Sequence, residues 1–168
     1  MPQNQRTFVR FAPLILILGA WCAVNGKLFS VYGVKVVSDS PRYIEYANGL
    51  ASGFYIDTFN IWYIGYVLYL LVVFKVFAAG ITGAIVGQYV LSFLSVVALY
   101  RTTFLLSRST VSAVVASLLF VAFPDISQWN SYILTESLYI SFTCFSFYFL
   151  VVYQQNTTTK NLAIASLF

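Results

Sequence analysis

The chain has 168 residues, of which 60% are hydrophobic, 19% aromatic and 8% charged, with a formal net charge of +4. At a mean hydropathy of +0.83 it is too apolar for a soluble domain of this size, and in a membrane protein basic residues set topology, so the charge is no argument for nucleic-acid binding. No histidine is present, which excludes His-based triads, His-ligated zinc and imidazole relays and leaves acid–base chemistry to carboxylates, Lys or Tyr.

A bilayer core ~30 Å thick takes about 20 apolar residues of helix. Runs of that kind predict helices at 11–33, 61–79, 82–105, 108–124 and 132–153, with another beginning at 161–168. The expected fold class is all-α: a polytopic helical membrane protein with about four spanning helices plus interfacial helices in the first outer loop. The first run is too long for a cleavable signal peptide, and Arg6 and Arg10 before it anchor a retained helix. Pro13 suits its first turn, where a missing N–H costs nothing. Cys22 and Cys144 both fall inside apolar runs and read as small hydrophobes rather than a disulfide.

Residues 34–60 form the first outer loop. Ser40-Pro41 is a helix start, and Tyr43, Ile44, Tyr46, Ala47 and Leu50 follow at helical spacing, with Arg42 and Glu45 on another face. A short amphipathic helix is predicted there, at the outer membrane surface, with Asp39 just before it. Two readings of Asp39 stand: a plain helix cap, or a carboxylate held at a helix N-terminus for chemistry.

The run 61–79 also has two readings. Its early tyrosines, Trp62 and the late Lys75 suit the water–lipid boundary, while an ordinary span with a snorkelling lysine fits as well. Gly80, Thr82 and Gly83 separate it from the next run, and Pro124-Asp125 closes the fourth. Glu136 opens the fifth. An ionisable group there faces a cavity or partner more readily than lipid, or it occupies a first helical turn behind a Thr135 cap. Asn156-Thr157-Thr158 fits a glycosylation sequon.

Sidedness follows from Lys and Arg. If all five runs span from a cytoplasmic N-terminus, Arg42, Arg101, Arg108 and Lys160 fall outside. An external N-terminus repairs this, retaining those four basic residues but translocating Arg6 and Arg10. A non-crossing run 61–79 repairs it by placing Arg6, Arg10, Arg101, Arg108 and Lys160 in the cytoplasm, where the sequon goes unused. Only then do Asp39, Glu45, Asp57, Asp125 and Glu136 share the outer side.

These residues resemble a known pattern. A basic tail, one span and an outer loop with Asp39-Ser-Pro-Arg-Tyr-Ile-Glu-Tyr-Ala47, then Phe123-Pro-Asp-Ile-Ser-Gln-Trp-Asn-Ser-Tyr-Ile-Leu-Thr-Glu-Ser-Leu-Tyr139, are similar to integral-membrane glycosyltransferases of the C-type superfamily. Protein O-mannosyltransferases and the bacterial enzymes that put aminoarabinose on lipid A belong to it. The resemblance covers about residues 8–155 and implies a lipid-linked donor, a sugar on a polyprenyl phosphate, used on the outer face. It implies Asp39 as the base for an acceptor hydroxyl, Arg42 and Tyr43 at the substrate, and Glu136 orienting sugar or acceptor. Relatives are several times longer, so residues 1–168 are expected to be a single transmembrane module, the N-terminal part of such an enzyme. No cofactor is specified, and a divalent cation is left open, as are sugar and acceptor. Membrane lipids are the other expected partners, and a bacterial inner membrane is expected in preference to the endoplasmic reticulum. Two other classes stay open: a non-enzymatic assembly scaffold with an acidic loop, and a transporter or flippase piece using Glu136 and Lys75.

Overall fold

The computed structural model describes residues 3–53, 58, 61–155 and 163. Asp57, the Asn156-Thr157-Thr158 sequon, Lys160 and the apolar run expected at 161–168 lie outside the described residues, apart from the helical Ala163.

Helix α1, Gln3–Tyr32, ends at Gly33, whose positive φ of 61° and N–H bond to the Phe29 carbonyl at 2.8 Å close the last turn. Pro13 lies within this helix rather than in its first turn. The helix starts eight residues earlier than the apolar run, because the polar residues before Phe11 continue the same helical backbone. Helix α2, Ser40–Ser52, begins as predicted with Pro41 in its first turn. Its start is held by Ser40, whose hydroxyl donates to the Val37 carbonyl at 2.6 Å and accepts from the Val37 N–H at 3.0 Å. Tyr43, Tyr46 and Ala47 are buried on one face, while Arg42, Glu45 and Asn48 are exposed on the other.

Helix α3, Ile61–Val76, opens with a 3₁₀ turn and closes with a π turn. Helix α4, Gly80–Ser107, is the central element, packing against α3, α5, α7 and the loop before α7. At 1.5 Å per residue, its 28 residues run roughly 42 Å. Helix α5 is Thr110–Ala122, capped by the Ser109 hydroxyl on the Ser112 N–H. A short helix α6, Pro124–Ser131, follows at 67° to α5. Helix α7 is Glu136–Gln155.

Contacts along α4 give the direction of every neighbour. Ile17 of α1 packs with Val96 and Tyr100, Trp21 with Ser92, and Phe29 with Tyr89, so α1 is antiparallel to α4. Asn130 joins Ser92 to Ser137 near the start of α7, and Gln155 at its other end reaches the Leu105 carbonyl, so α7 runs parallel to α4. One end of the bundle therefore carries the close of α1, all of α2, the start of α4, α6 and the start of α7. The other carries the start of α1, the α4–α5 turn and the end of α7.

The arrangement of α3 is set by its contacts with α4. Tyr66 bonds Gln88, Tyr69 bonds the Ala84 carbonyl, and Val73 accepts from the Ala79 N–H. The helix thus lies antiparallel along the first turns of α4 and does not extend to its far end. Close approach is possible because Gly87 has no side chain: a Cβ there would run into the Tyr69 hydroxyl. Among the described residues, α1, α4 and α7 are each long and apolar enough to cross a membrane, and the bent α5–α6 pair makes a fourth if counted as one. The all-helical reading holds, with α6 as an element lying between the predicted runs 108–124 and 132–153.

Replacing Gly87 with Leu forces α3 away from α4 and costs about 1–3 kcal/mol, the usual penalty of overpacking. A spin-label pair on α3 and the first turns of α4 should show a lengthened distance in the variant, with a lowered melting temperature.

Candidate functional site

The end of the bundle that holds the sequence-predicted residues is built on buried amides. Gln88 is fully buried. Its Oε1 accepts from the Tyr66 hydroxyl at 2.8 Å, and its Nε2 donates to the backbone carbonyls of Tyr132 at 2.8 Å and Asn130 at 3.2 Å. Asn130 is as well satisfied: Nδ2 donates to Asn25 Oδ1 and Ser92 Oγ, both at 2.9 Å, and Oδ1 accepts from the Ser137 hydroxyl at 2.7 Å. The Tyr89 and Ser131 hydroxyls add a bond at 2.7 Å. No buried side-chain nitrogen or oxygen among the described residues lacks a partner. An unsatisfied buried amide costs one to several kcal/mol, so a fully connected set is a strong positional constraint on the segment 128–137.

That segment in turn fixes the loop after α1. The Lys35 N–H donates to the Ser131 carbonyl at 2.9 Å, and the Ile133 N–H donates to the Lys35 carbonyl at 3.0 Å, a short parallel bridge. This pairing holds Tyr132 extended, and bends and a turn follow over 133–135, so α7 starts at Glu136 and not at the predicted 132. It also ties the approach to Asp39 to the approach to Glu136.

Asp39 occupies the position before α2, but its side chain makes no capping bond. It forms an ion pair with Arg42, three residues on and partly exposed. Tyr43 is buried on the opposite face of α2, with its ring centroid 5.4 Å from Tyr63 and 5.5 Å from Tyr66. Burial, reinforced by the negative charges of Asp39 and Glu136 and by Tyr63, pushes the Tyr43 phenol up to about 12. The phenol therefore stays neutral and a hydrogen-bond donor across the physiological range. Its field contains both acids, which lie 97 residues apart in sequence and at one end of the fold. Glu136 is the first residue of α7, touched by the Thr135 hydroxyl at 3.4 Å, and it lines a cleft of about 460 Å³ between the start of α3 and the start of α7. Asp39 and Arg42 do not line that cleft.

The charges sort by end. Asp39, Glu45, Asp125 and Glu136 are at the α2 end, together with Lys27, Lys35, Arg42 and Lys75. Arg6, Arg10, Arg101 and Arg108 are at the other, with no acid among the described residues there. No three His, Cys, Asp or Glu side chains among the described residues gather closely enough to hold a metal ion. What the cluster can do chemically is accept a proton on a carboxylate, donate one from a neutral phenol, and present a guanidinium to an anion.

Sequence reading missed Asn25, Gln88, Ser92, Asn130 and Ser137. The signal was present: an Asn and a Gln in the middle of apolar runs are costly unless they hydrogen-bond to a neighbouring helix. Their partners could not be read from spacing. No protein-family model matches the chain, and no curated protein or solved structure does either.

Asn130→Ala removes the partner of Asn25, Ser92 and Ser137 together and should destabilise the protein by about 1–3 kcal/mol. The melting temperature in detergent should fall, and Cys labelling at Ser131 should quicken as the segment loosens.

Proposed function

We propose that the chain is a multi-pass membrane protein whose α2 end faces outward and which transfers a sugar from a polyprenyl-phosphate donor to an acceptor hydroxyl. Membrane placement is supported by helix length and charge. Helix α4 is roughly 42 Å long against a hydrocarbon core of ~30 Å, so its first turns reach past the core and α3, paired with those turns, sits at the outer boundary. Arg6, Arg10, Arg101 and Arg108 lie at the other end, with no acid among the described residues there, and we assign that end to the cytoplasm.

The observation that carries the transfer reading is the geometry of the α2 end: the Asp39–Arg42 ion pair at the start of α2 and Glu136 at the start of α7 lie at one end of the bundle, their approaches tied by the bridge of Lys35 to residues 131–133. Asp39 takes the proton of the acceptor hydroxyl as its oxygen attacks the anomeric carbon. The carbon–oxygen bond to phosphate breaks on the opposite face, and the sugar inverts. The leaving phosphate needs cationic stabilisation, and Arg42, held beside Asp39, is the guanidinium within reach; a divalent cation would have to use the donor's own phosphate oxygens as further ligands. Glu136 lines the neighbouring cleft, which Asp39 and Arg42 do not enter, and no step of the transfer is assigned to it.

Single Cys residues at Asn48, Asp125, Ser107 and Gln154, in a background without Cys22 and Cys144, test the sidedness. Asn48 and Asp125 should label from outside and Ser107 and Gln154 only after permeabilisation; Ile61 and Ala79 should both label from outside if α3 does not cross. Opposite sides for Asn48 and Asp125 would sink the shared site. With the placement established, Asp39→Asn in the full-length protein should reduce transfer from a radiolabelled polyprenyl-phosphate sugar by about 10²-fold or more, a typical loss for a missing general base, at unchanged expression. Full activity of Asp39→Asn would overturn the assignment of the base.

A further inference from the structure

The cleft beside Glu136 has a composition that points to a ligand of a particular charge. Its walls are aromatic: Trp62, Tyr63 and Tyr66 from the first turns of α3, and Tyr139 and Phe142 from α7. Glu136 is the one ionisable side chain other than tyrosine that lines it among the described residues, and no Lys or Arg does. Part of the polar capacity of the walls is already used, the Tyr63 and Tyr139 hydroxyls aside. The Tyr66 hydroxyl is spent on Gln88 Oε1, so this residue offers only its ring. Thr135 and Glu136 already touch each other. Trp62 is 86% exposed and Tyr139 72%, a large apolar exposure at the rim of a polar end.

Aromatic faces carry negative quadrupoles and attract a cation placed over them, most strongly when part of its water is stripped. A carboxylate at the base of such a box supplies the counter-charge. A neutral polyol could use the Tyr63 and Tyr139 hydroxyls but would leave the Glu136 charge without a counter-ion. An anion would meet Glu136 directly. A small metal ion would find one carboxylate where it needs several oxygens.

We propose that this cleft binds an organic ammonium group, and that its source is the head group of a membrane lipid. The second part rests on the outward, membrane-boundary placement of α3 and α7 proposed above, where exposed Trp and Tyr mark head-group depth; neither part depends on sugar transfer. The ammonium sits against Glu136 with the rings of Trp62 and Tyr139 closing over it, while its lipid tails remain in the bilayer.

The test uses full-length protein in micelles of a neutral polyoxyethylene detergent, with tetramethylammonium as probe and neopentyl alcohol as its uncharged isostere, both followed by saturation-transfer NMR. Tetramethylammonium should bind and neopentyl alcohol should bind markedly less. Glu136→Gln should weaken tetramethylammonium at least about tenfold, the scale of a lost charge-assisted contact, and leave the alcohol unchanged. Trp62→Leu, at an exposed position that leaves packing intact, should weaken it about fivefold, the scale of one cation–π contact. Equal binding of the two probes, or an unchanged affinity in both variants, would overturn the ammonium assignment. Adding phosphatidylethanolamine to the micelles should displace tetramethylammonium; failure to compete, with binding otherwise as expected, would transfer the site to a soluble amine. Because no sugar donor is present, failure here leaves the transfer reading standing, and an inactive transferase leaves this site standing.

Discussion

The structure turns on the burial of two side-chain amides, Gln88 and Asn130. Each is placed so that nearly all of its hydrogen-bonding capacity is met, and each meets it on different elements: Asn130 on α1, α4 and α7, Gln88 on α3 and on the backbone just before α7. In an apolar bundle, interhelical contacts between alkyl side chains are poorly directional, and helices can slide or rotate at small cost. Amides that lose a partner on sliding restore register. The short segment between α6 and α7 is held by this requirement, because it supplies both the carbonyls that Gln88 needs and the side chain that Asn130 contributes.

From that anchored segment the position of the acids follows. The bridge between Lys35 and residues 131–133 carries the register outward to the loop after α1. Ser38, in the left-handed region, and the Ser40–Val37 pair then turn the chain into α2. Tyr43 packs down onto Tyr63 and Tyr66, and Tyr66 returns to Gln88. The ring of contacts is closed: amide, tyrosine, α2, loop, bridge and amide again. Asp39 stands at the start of α2 and Glu136 at the start of α7, both at this end of the bundle.

The same construction explains why α3 is apolar yet folds back along the first turns of α4. Its tyrosines face inward, onto Gln88, the Ala84 carbonyl and Tyr43, and Gly87 lets it approach α4 closely. Helix α6 has a comparable origin. Phe123 before Pro124 is pushed into extended geometry, which breaks α5 and turns the chain by 67° so that Asn130 can point back among the helices.

Composition and periodicity by themselves determined that the chain is all-helical, where its long apolar helices lie to within a few residues, and that Ser40-Pro41 starts a helix with Tyr43, Tyr46 and Ala47 on its inner face. These are local properties, set by hydrophobic spacing, proline geometry and the absence of strand-like alternation, so they are legible along the chain. Asp39, Arg42, Tyr43 and Glu136 were legible as candidates because charge is scarce in so apolar a sequence. Only the tertiary structure decided that Asp39 pairs with Arg42 instead of capping α2, that α7 begins at Glu136, and that α3 folds back along α4. The start of α7 depends on the backbone pairing of Lys35 with Ile133, and the fold-back of α3 on Tyr66–Gln88 and Tyr69–Ala84, 22 and 15 residues apart; partners chosen in three dimensions leave no trace in local spacing.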